Sequence, residues 1–265
     1  STCQVSDDVD RRMAAKERSP SSQPQDSYPR KGPLSEEQEK TVNDVLKGSG
    51  QDIVVTAFNT NLTKKDLWRL QEYTWLNDAV VNMYMKLLDH RDKELCERDK
   101  SRCPSHFFSS FFLTKLTENR KYNYAGVKRW TKKVKIFEMD KVFCPVNINN
   151  IHWCMAVIFV QKKRINYYDS MGGTGAQTTD ALMKWLADED HDKNGDDGTF
   201  FEEEWSIEGT DMATTPQQDN GSDCGAFAIA FASYLSDDLP FDFSQADIAE
   251  IRRRMLWSLV HQELI

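Results

Sequence analysis

The stretch that decides the fold is VFCPVNINNIHWCMAVIFVQKKRINYYDS, Val142 to Ser170. Three runs rich in β-branched and aromatic residues follow one another closely: Val142 to Ile148, His152 to Val160 and Ile165 to Tyr168. Turn-forming residues separate them, Asn149-Asn150 and Lys162-Lys163-Arg164. Such runs, divided by short polar links, read as an antiparallel meander at the centre of a sheet.

Helical patterns lie on both sides of the meander. Downstream, Gly172-Gly173 breaks the chain, and residues 177 to 187 place Leu182, Trp185 and Leu186 on one inward stripe. Residues 188 to 208 read as a solvated acidic loop and edge strand, with strand character over Phe200 to Ile207. Gly225 to Leu235 is a small-residue apolar helix buried on most sides. A terminal helix spans Phe243 to Glu263, starting at Ser244. Upstream, Ser35 with Gln38 forms a capping box for a helix to about Lys47. A short strand begins at Asp52, and Thr63 caps a helix through Leu70. Asn77 or Asp78 caps the next, to about His90, with Val80, Val81, Tyr84, Leu87 and Leu88 as its stripe. Residues 91 to 104 read as a surface loop, while His106 to Leu113 is an apolar block of ambiguous type. The class is α+β. Residues 1 to 33 hold four of the eight prolines and few apolar groups, so a disordered tail is expected, with one domain over 34 to 265.

Composition narrows the function classes. The 265 residues carry 34 Lys+Arg against 42 Asp+Glu, a net charge of −8. A net acidic chain is a poor general ligand for nucleic acid. The acidity is local: residues 188 to 208 hold ten acids and one lysine, and the rest of the chain is nearly neutral. No apolar run approaches the ~20 residues of a membrane span. The N-terminus has no secretory signal and no initiator Met, as in a piece of a longer protein. Six cysteines in a chain of this size are too sparse for a disulfide framework, and reduced thiols are expected. None has zinc-type spacing, so no metal or other cofactor is expected.

Pro216-Gln-Gln-Asp-Asn-Gly-Ser-Asp-Cys-Gly-Ala-Phe227 carries the chemistry. It places Cys224 at the start of the apolar helix, where the partial positive charge of a helix N-terminus favours a thiolate. Gly225 allows another segment to approach closely. A thiol nucleophile needs an imidazole and an orienting acceptor. His152 opens the central strand, and Asp169 ends the next, where the strand register decides whether they meet. Gln218 lies in the same loop as Cys224 and can donate to an oxyanion together with the Cys224 backbone N–H.

These motifs resemble the SUMO-specific (sentrin- or ubiquitin-like-protein-specific) cysteine proteases. The resemblance spans about residues 50 to 265. It includes WLND (Trp75 to Asp78), YAGVKRWTKKV (Tyr124 to Val134), HWCMAV (His152 to Val157), YYDSMGG (Tyr167 to Gly173), PQQDNGSDCGAF (Pro216 to Phe227) and RRRMLWSLVHQEL (Arg252 to Leu264). It implies a papain-like or adenovirus-proteinase-like fold, with a central mixed sheet flanked by helices. Cys224 becomes the nucleophile, His152 its base and later acid, Asp169 the orienting residue and Gln218 part of the oxyanion hole. The implied reaction is cleavage after the C-terminal Gly-Gly of SUMO, in the precursor and in lysine conjugates, through a thioester. Trp75 and Trp153 match tryptophans that line a tunnel for that tail, and a narrow slot between flat rings excludes larger side chains. Asp78 matches a position that pairs with a basic residue on SUMO, and a helix cap remains open beside that role. Phe107, Phe108, Phe111 and Phe112 are candidates for part of the SUMO-facing surface, with core packing expected for at least two of them.

The implied partners are SUMO and SUMO-conjugated proteins, engaged by a monomeric domain without nucleic acid. The implied location is the nucleus, with the nuclear envelope or pore as candidate sites. Asn149 and Asn150 precede His152 where several relatives carry a further histidine. Two alternatives stand beside this: the same chemistry on another ubiquitin-like modifier, and a catalytically silent SUMO-binding module.

Overall fold

The computed structural model describes residues 30–118 and 121–265. The expected disordered tail lies outside the described residues as far as residue 29. Its last part does not: Arg30 is buried, donates from Nε to the Ser233 carbonyl (3.2 Å) and pairs with Asp237. A composition boundary averages over a window and misses one arginine that finds a carboxylate.

The elements in order are α1 (Glu36–Val45), β1 (Ile53–Ala57), β2 (Thr60–Thr63) and α2 (Lys64–Leu67), which runs into a 3-10 turn (Trp68–Leu70). Next come α3 (Asp78–Arg98), β3 (His106–Phe107), α4 (Phe111–Leu116) and α5 (Tyr124–Val127). The meander is β4 (Lys141–Ile148), β5 (His152–Phe159) and β6 (Arg164–Tyr168). Then follow α6 (Ala176–Asn194), β7 (Ser206–Glu208), α7 (Cys224–Leu235) and α8 (Ile248–His261). The five-stranded sheet has the order β3-β4-β5-β6-β7, with antiparallel pairing inside the meander and a parallel strand at each edge. It is therefore mixed.

The meander forms as its sequence implies. Ile148 pairs with His152, and the turn between them is closed by the Ile151 N–H to Ile148 carbonyl bond (3.0 Å). Asn149 and Asn150 both take positive φ, 52° and 60°, the conformation of a tight hairpin turn that asparagine tolerates. Strand β5 is buried on both faces, hence its unbroken apolar run. Trp153, Met155, Val157 and Phe159 join the core formed with α3, α7 and α8. Cys154, Ala156 and Ile158 join a second core with α4, α5 and α6. Helix α7 is buried from Cys224 to Tyr234, sandwiched between the sheet and the outer helices. Truncating one of its fully buried rings, such as Phe231, is expected to cost about 3–5 kcal/mol.

Four local features differ from expectation. Residues 91 to 98 continue α3 instead of forming a loop. Leu95 and Asp92 face inward, and Asp92 accepts from Arg102 Nη2 (3.0 Å) and the Ser105 N–H (2.7 Å). The exposed face of a helix is as charged as a loop, and the charge density misled. The acidic segment is likewise helical to Asn194. Glu189 and Asp190 are buried there, accepting from the Tyr124 hydroxyl (2.8 Å) and the Phe200 N–H (2.8 Å). Only Ser206–Glu208 of the expected 200–207 strand is extended. Finally, Ser244 caps a 3-10 turn (Gln245–Asp247) that leads into α8.

Cys96, Cys144, Cys154 and Cys224 are free thiols, whereas Cys103 is disulfide-bonded, against the expectation of reduced cysteines. Low cysteine density speaks against a disulfide scaffold, not against a single cross-link. No helix among the described residues is long and apolar enough to cross a membrane.

Candidate active site

Cys224 is the first residue of α7 and is 3% exposed. The next residue has no side chain for a steric reason. A Cβ on Gly225 would sit 2.8 Å from the Cβ of Leu76, so helix α7 and the segment before α3 touch through that glycine.

His152 opens β5 and Asp169 follows β6. Met155 pairs with Tyr168, which brings both side chains to the same end of the sheet. His152 Nε2 lies 2.8 Å from Asp169 Oδ1. The Asp169 carboxylate also accepts the backbone N–H groups of Met171 (2.7 Å) and Gly173 (3.2 Å). A Cβ on Gly173 would overlap Asp169 Oδ2, so a side chain there would displace the carboxylate. The Asp169 bond, then contacts with the Cys154 and Cys224 thiols, push the His152 pKa up to about 12 against the opposing effect of burial. For Asp169 burial alone would act upward; the His152 and Met171 hydrogen bonds outweigh it and hold the carboxyl below the usual carboxylate range. The imidazole is thus a charged partner held between a carboxylate and a thiol. With Nε2 committed to Asp169, Nδ1 is the nitrogen available to Cys224.

Gln218 is anchored by the residue after Asp169. Its backbone N–H donates to the Ser170 carbonyl (2.9 Å), and its Oε1 accepts from Ser170 Oγ (2.5 Å). Its Nε2 donates to the Asn220 carbonyl within the loop that leads to Cys224. One short segment, Asp169-Ser170, therefore fixes both the imidazole and the amide.

A cavity of about 280 Å³ opens beside Cys224 and is lined by Trp75, Leu76, Asp78, Asn147 and Trp153, among others. Trp153 is buried at 5% exposure and donates from Nε1 to the Leu76 carbonyl (3.0 Å); Trp75 is 45% exposed. Asn77, not Asp78, caps α3, accepting the Val80 N–H at 3.1 Å. Asp78 is half-buried and accepts from Ser110 Oγ (2.6 Å). Of the four phenylalanines, Phe107, Phe108 and Phe112 are buried, and Phe111 is 53% exposed. Phe111 lines a second, larger groove of about 1420 Å³ that shares Asn147 and Asn150 with the slot.

The structure thus brings Cys224, His152, Asp169, Trp75, Trp153 and Asp78 to one cleft, with Gln218 in the adjoining loop. Sequence reading missed two neighbours. Cys154 lies inside the apolar run of β5, yet it contacts His152; two residues apart on a strand means the same face. Arg252 lies in the terminal motif RRRMLWSLVHQEL, and its hydrogen-bond partners lie far away in sequence. The donor atoms of His152, Cys154 and Asp169 lie within 4.8 Å of one another, a possible metal-ligand set. Here the histidine and carboxylate are bonded to each other, as in a proton network.

Residues 74–259 match the Ulp1 protease family, C-terminal catalytic domain. This chain belongs to the Ulp1 protease family. Ulp1-family relatives include human sentrin-specific protease 2, 38% identical over 234 residues, which cover 88% of this chain and 38% of that protein. Ubiquitin-like-specific protease 1A of Arabidopsis thaliana is 35% identical over 229 residues, covering 84% of this chain and 44% of that protein. The chain thus spans about two fifths of the length of these curated relatives. A solved Ulp1 protease domain in complex with Smt3, the yeast ortholog of SUMO, superposes with a TM-score of 0.70 at 30% identity. That match covers 87% of this chain and 97% of the other. The mixed sheet flanked by helices is therefore the Ulp1-like fold, in keeping with the expected papain-like class.

Proposed function

We propose that this domain is a thiol protease and isopeptidase that cuts after the C-terminal Gly-Gly of SUMO, in the precursor and in lysine conjugates. One observation carries the proposal. In a chain of the Ulp1 family, Cys224, His152 and Asp169 converge on a slot lined by Trp75 and Trp153. The Gly-Gly tail lies in the slot, where it has no side chains to clash with the rings. The Cys224 sulfur, its proton held by His152, attacks the carbonyl carbon of the last glycine. The oxyanion that forms is stabilised by the Cys224 backbone N–H and the Gln218 amide, which exchanges the Asn220 carbonyl for it. His152 returns the proton to the departing amine, leaving a thioester. Water then attacks the thioester, giving a proton to His152, and the sulfur leaves as the thiolate beside the protonated imidazole, which restores the starting pair. Asp169 holds the imidazole in place throughout. Asp78 and the exposed Phe111 face the body of the modifier.

The test is covalent capture by a SUMO probe carrying a C-terminal electrophile, run in parallel with probes for ubiquitin and other modifiers. The SUMO adduct is expected to dominate and to vanish in Cys224→Ala. No adduct, or an undiminished one in Cys224→Ala, overturns the mechanism; stronger labelling by another modifier overturns the substrate. Turnover of a SUMO precursor excludes a silent binding module. A nuclear location is part of the proposal, checked by imaging the tagged full-length protein; exclusion from the nucleus and its envelope would remove it.

A further inference from the structure

Arg252, on α8, is fully buried, and its guanidinium uses every N–H it has. Nε donates to Asp223 Oδ1 (2.8 Å), Nη1 to the carbonyls of Arg69 (3.1 Å) and Gln71 (3.2 Å), and Nη2 to those of Thr74 (3.0 Å) and Ser222 (3.0 Å). These acceptors belong to two different parts of the cleft. Arg69, Gln71 and Thr74 form the segment that ends in Trp75, the exposed wall of the slot. Ser222 and Asp223 are the two residues before Cys224. The second oxygen of Asp223 is also occupied, by Asn220 Nδ2 (2.7 Å) and Gln245 Nε2 (2.8 Å), so the carboxylate is held from three elements.

We infer that Arg252 is a positioning residue that couples the Trp75 wall to the nucleophile loop, setting both the width of the slot and the placement of Cys224. A buried guanidinium with five fixed acceptors is a rigid strut, because each hydrogen bond constrains a different backbone group. Among the described residues no other side chain joins the same groups: the Trp153 bond to Leu76 fixes the far side of the wall, and Gly225 sets only a contact distance. Lysine cannot replace it, since three donors on a point charge cannot reach five acceptors in a fork. Displacements of about 1 Å at a reacting centre can cost ~10²-fold in rate, so a strut one layer behind the sulfur is felt in the chemistry. The part of this inference that concerns selectivity rests on the slot being the Gly-Gly channel; the part that concerns Cys224 does not.

The test uses the whole chain with Arg252→Lys, Arg252→Gln and Asp223→Asn. Folding is checked by thermal unfolding, and assays are run well below each midpoint. The first readout is cleavage of a SUMO precursor with its native Gly-Gly tail against one whose penultimate glycine is alanine. Arg252→Lys is expected to lose about tenfold or more on the native tail and less on the alanine tail, so that discrimination narrows. A role in stability alone lowers the midpoint and leaves the ratio unchanged, and that result overturns the inference. The second readout is the rate at which iodoacetamide alkylates Cys224, which needs no slot. A change of about fivefold or more is expected, and a rate within twofold of wild type overturns the Cys224 half. If both Arg252 variants fail to fold, Asp223→Asn decides in the same two assays, with shifts in the same direction. If wild type cuts both tails equally, the Gly-Gly channel is wrong, and alkylation alone judges Arg252.

Discussion

His152 and Asp169 are seventeen residues apart in sequence, yet Nε2 and Oδ1 lie 2.8 Å apart because β5 and β6 pair with Met155 opposite Tyr168. A register slip of one residue would carry Asp169 to the other face of the sheet. The pairing of two apolar strands thus sets the electrostatics of the cleft.

The folded protein holds the His152 proton more tightly than the unfolded chain, with the pKa pushed up to about 12 from 6.5, chiefly by Asp169. The native state therefore binds more protons than the unfolded state between those values, and stability falls as pH rises through that window. The contribution is fully present below about pH 6.5. Asp169→Asn removes it, so the stability gap between wild type and variant should be widest near pH 6 and narrow towards pH 9. Urea unfolding at both values checks this; a gap that widens with pH contradicts it. In activity, Asp169→Asn should mainly lower kcat, by about 10²-fold or more, as loss of an orienting carboxylate does.

Gln218→Ala should lower kcat by about 10²–10³-fold, the usual effect of removing one oxyanion donor, with little change in KM. Ser170→Ala should move in the same direction by less, because Ser170 Oγ only holds the amide (2.5 Å). Steady-state kinetics on a SUMO precursor separate the two. An unchanged kcat in Gln218→Ala would remove its amide from the mechanism.

The two tryptophans should behave differently. Trp75 is 45% exposed, so Trp75→Ala should change stability by no more than about 0.5 kcal/mol while lowering kcat/KM about tenfold or more. Trp153 is buried and bonded to the Leu76 carbonyl, so Trp153→Phe should cost about 1–3 kcal/mol by leaving that carbonyl unpaired. Thermal unfolding and kinetics on the same samples give both numbers.

Gly225→Ala places a methyl 2.8 Å from Leu76 Cβ. Overpacking of this kind costs about 1–3 kcal/mol, and relief by moving α7 would displace Cys224. Lower stability and lower kcat are both expected. If a crystal structure of the variant shows Leu76 and α7 unmoved, the close approach is not what requires glycine.

The acidic segment divides into two parts with different consequences. Glu202, Glu203 and Glu204 are exposed, and changing all three to Gln should leave alkylation of Cys224 unchanged. Glu189 and Asp190 are buried acceptors, so neutralising either should cost stability. Comparing the triple variant with Asp190→Asn by thermal unfolding tests the division.

By itself the sequence determined the meander and its asparagine turn, the apolar helix headed by Cys224, the need for a glycine after it, and the membership of His152, Asp169 and Gln218 in one set. Strand period, turn chemistry and helix caps are local, and a few neighbouring residues suffice to specify them. Tertiary structure decided what depends on distant partners. The strand register joined Asp169 to His152. The inward turn of Asp92, Glu189 and Asp190 made helices of segments whose charge alone read as loops. Only one phenylalanine of four, Phe111, was left exposed. Arg252 became the bridge between Thr74 and Asp223, a role that no local pattern carries. A buried charge is defined by the groups that surround it, and those come together only when the chain has folded.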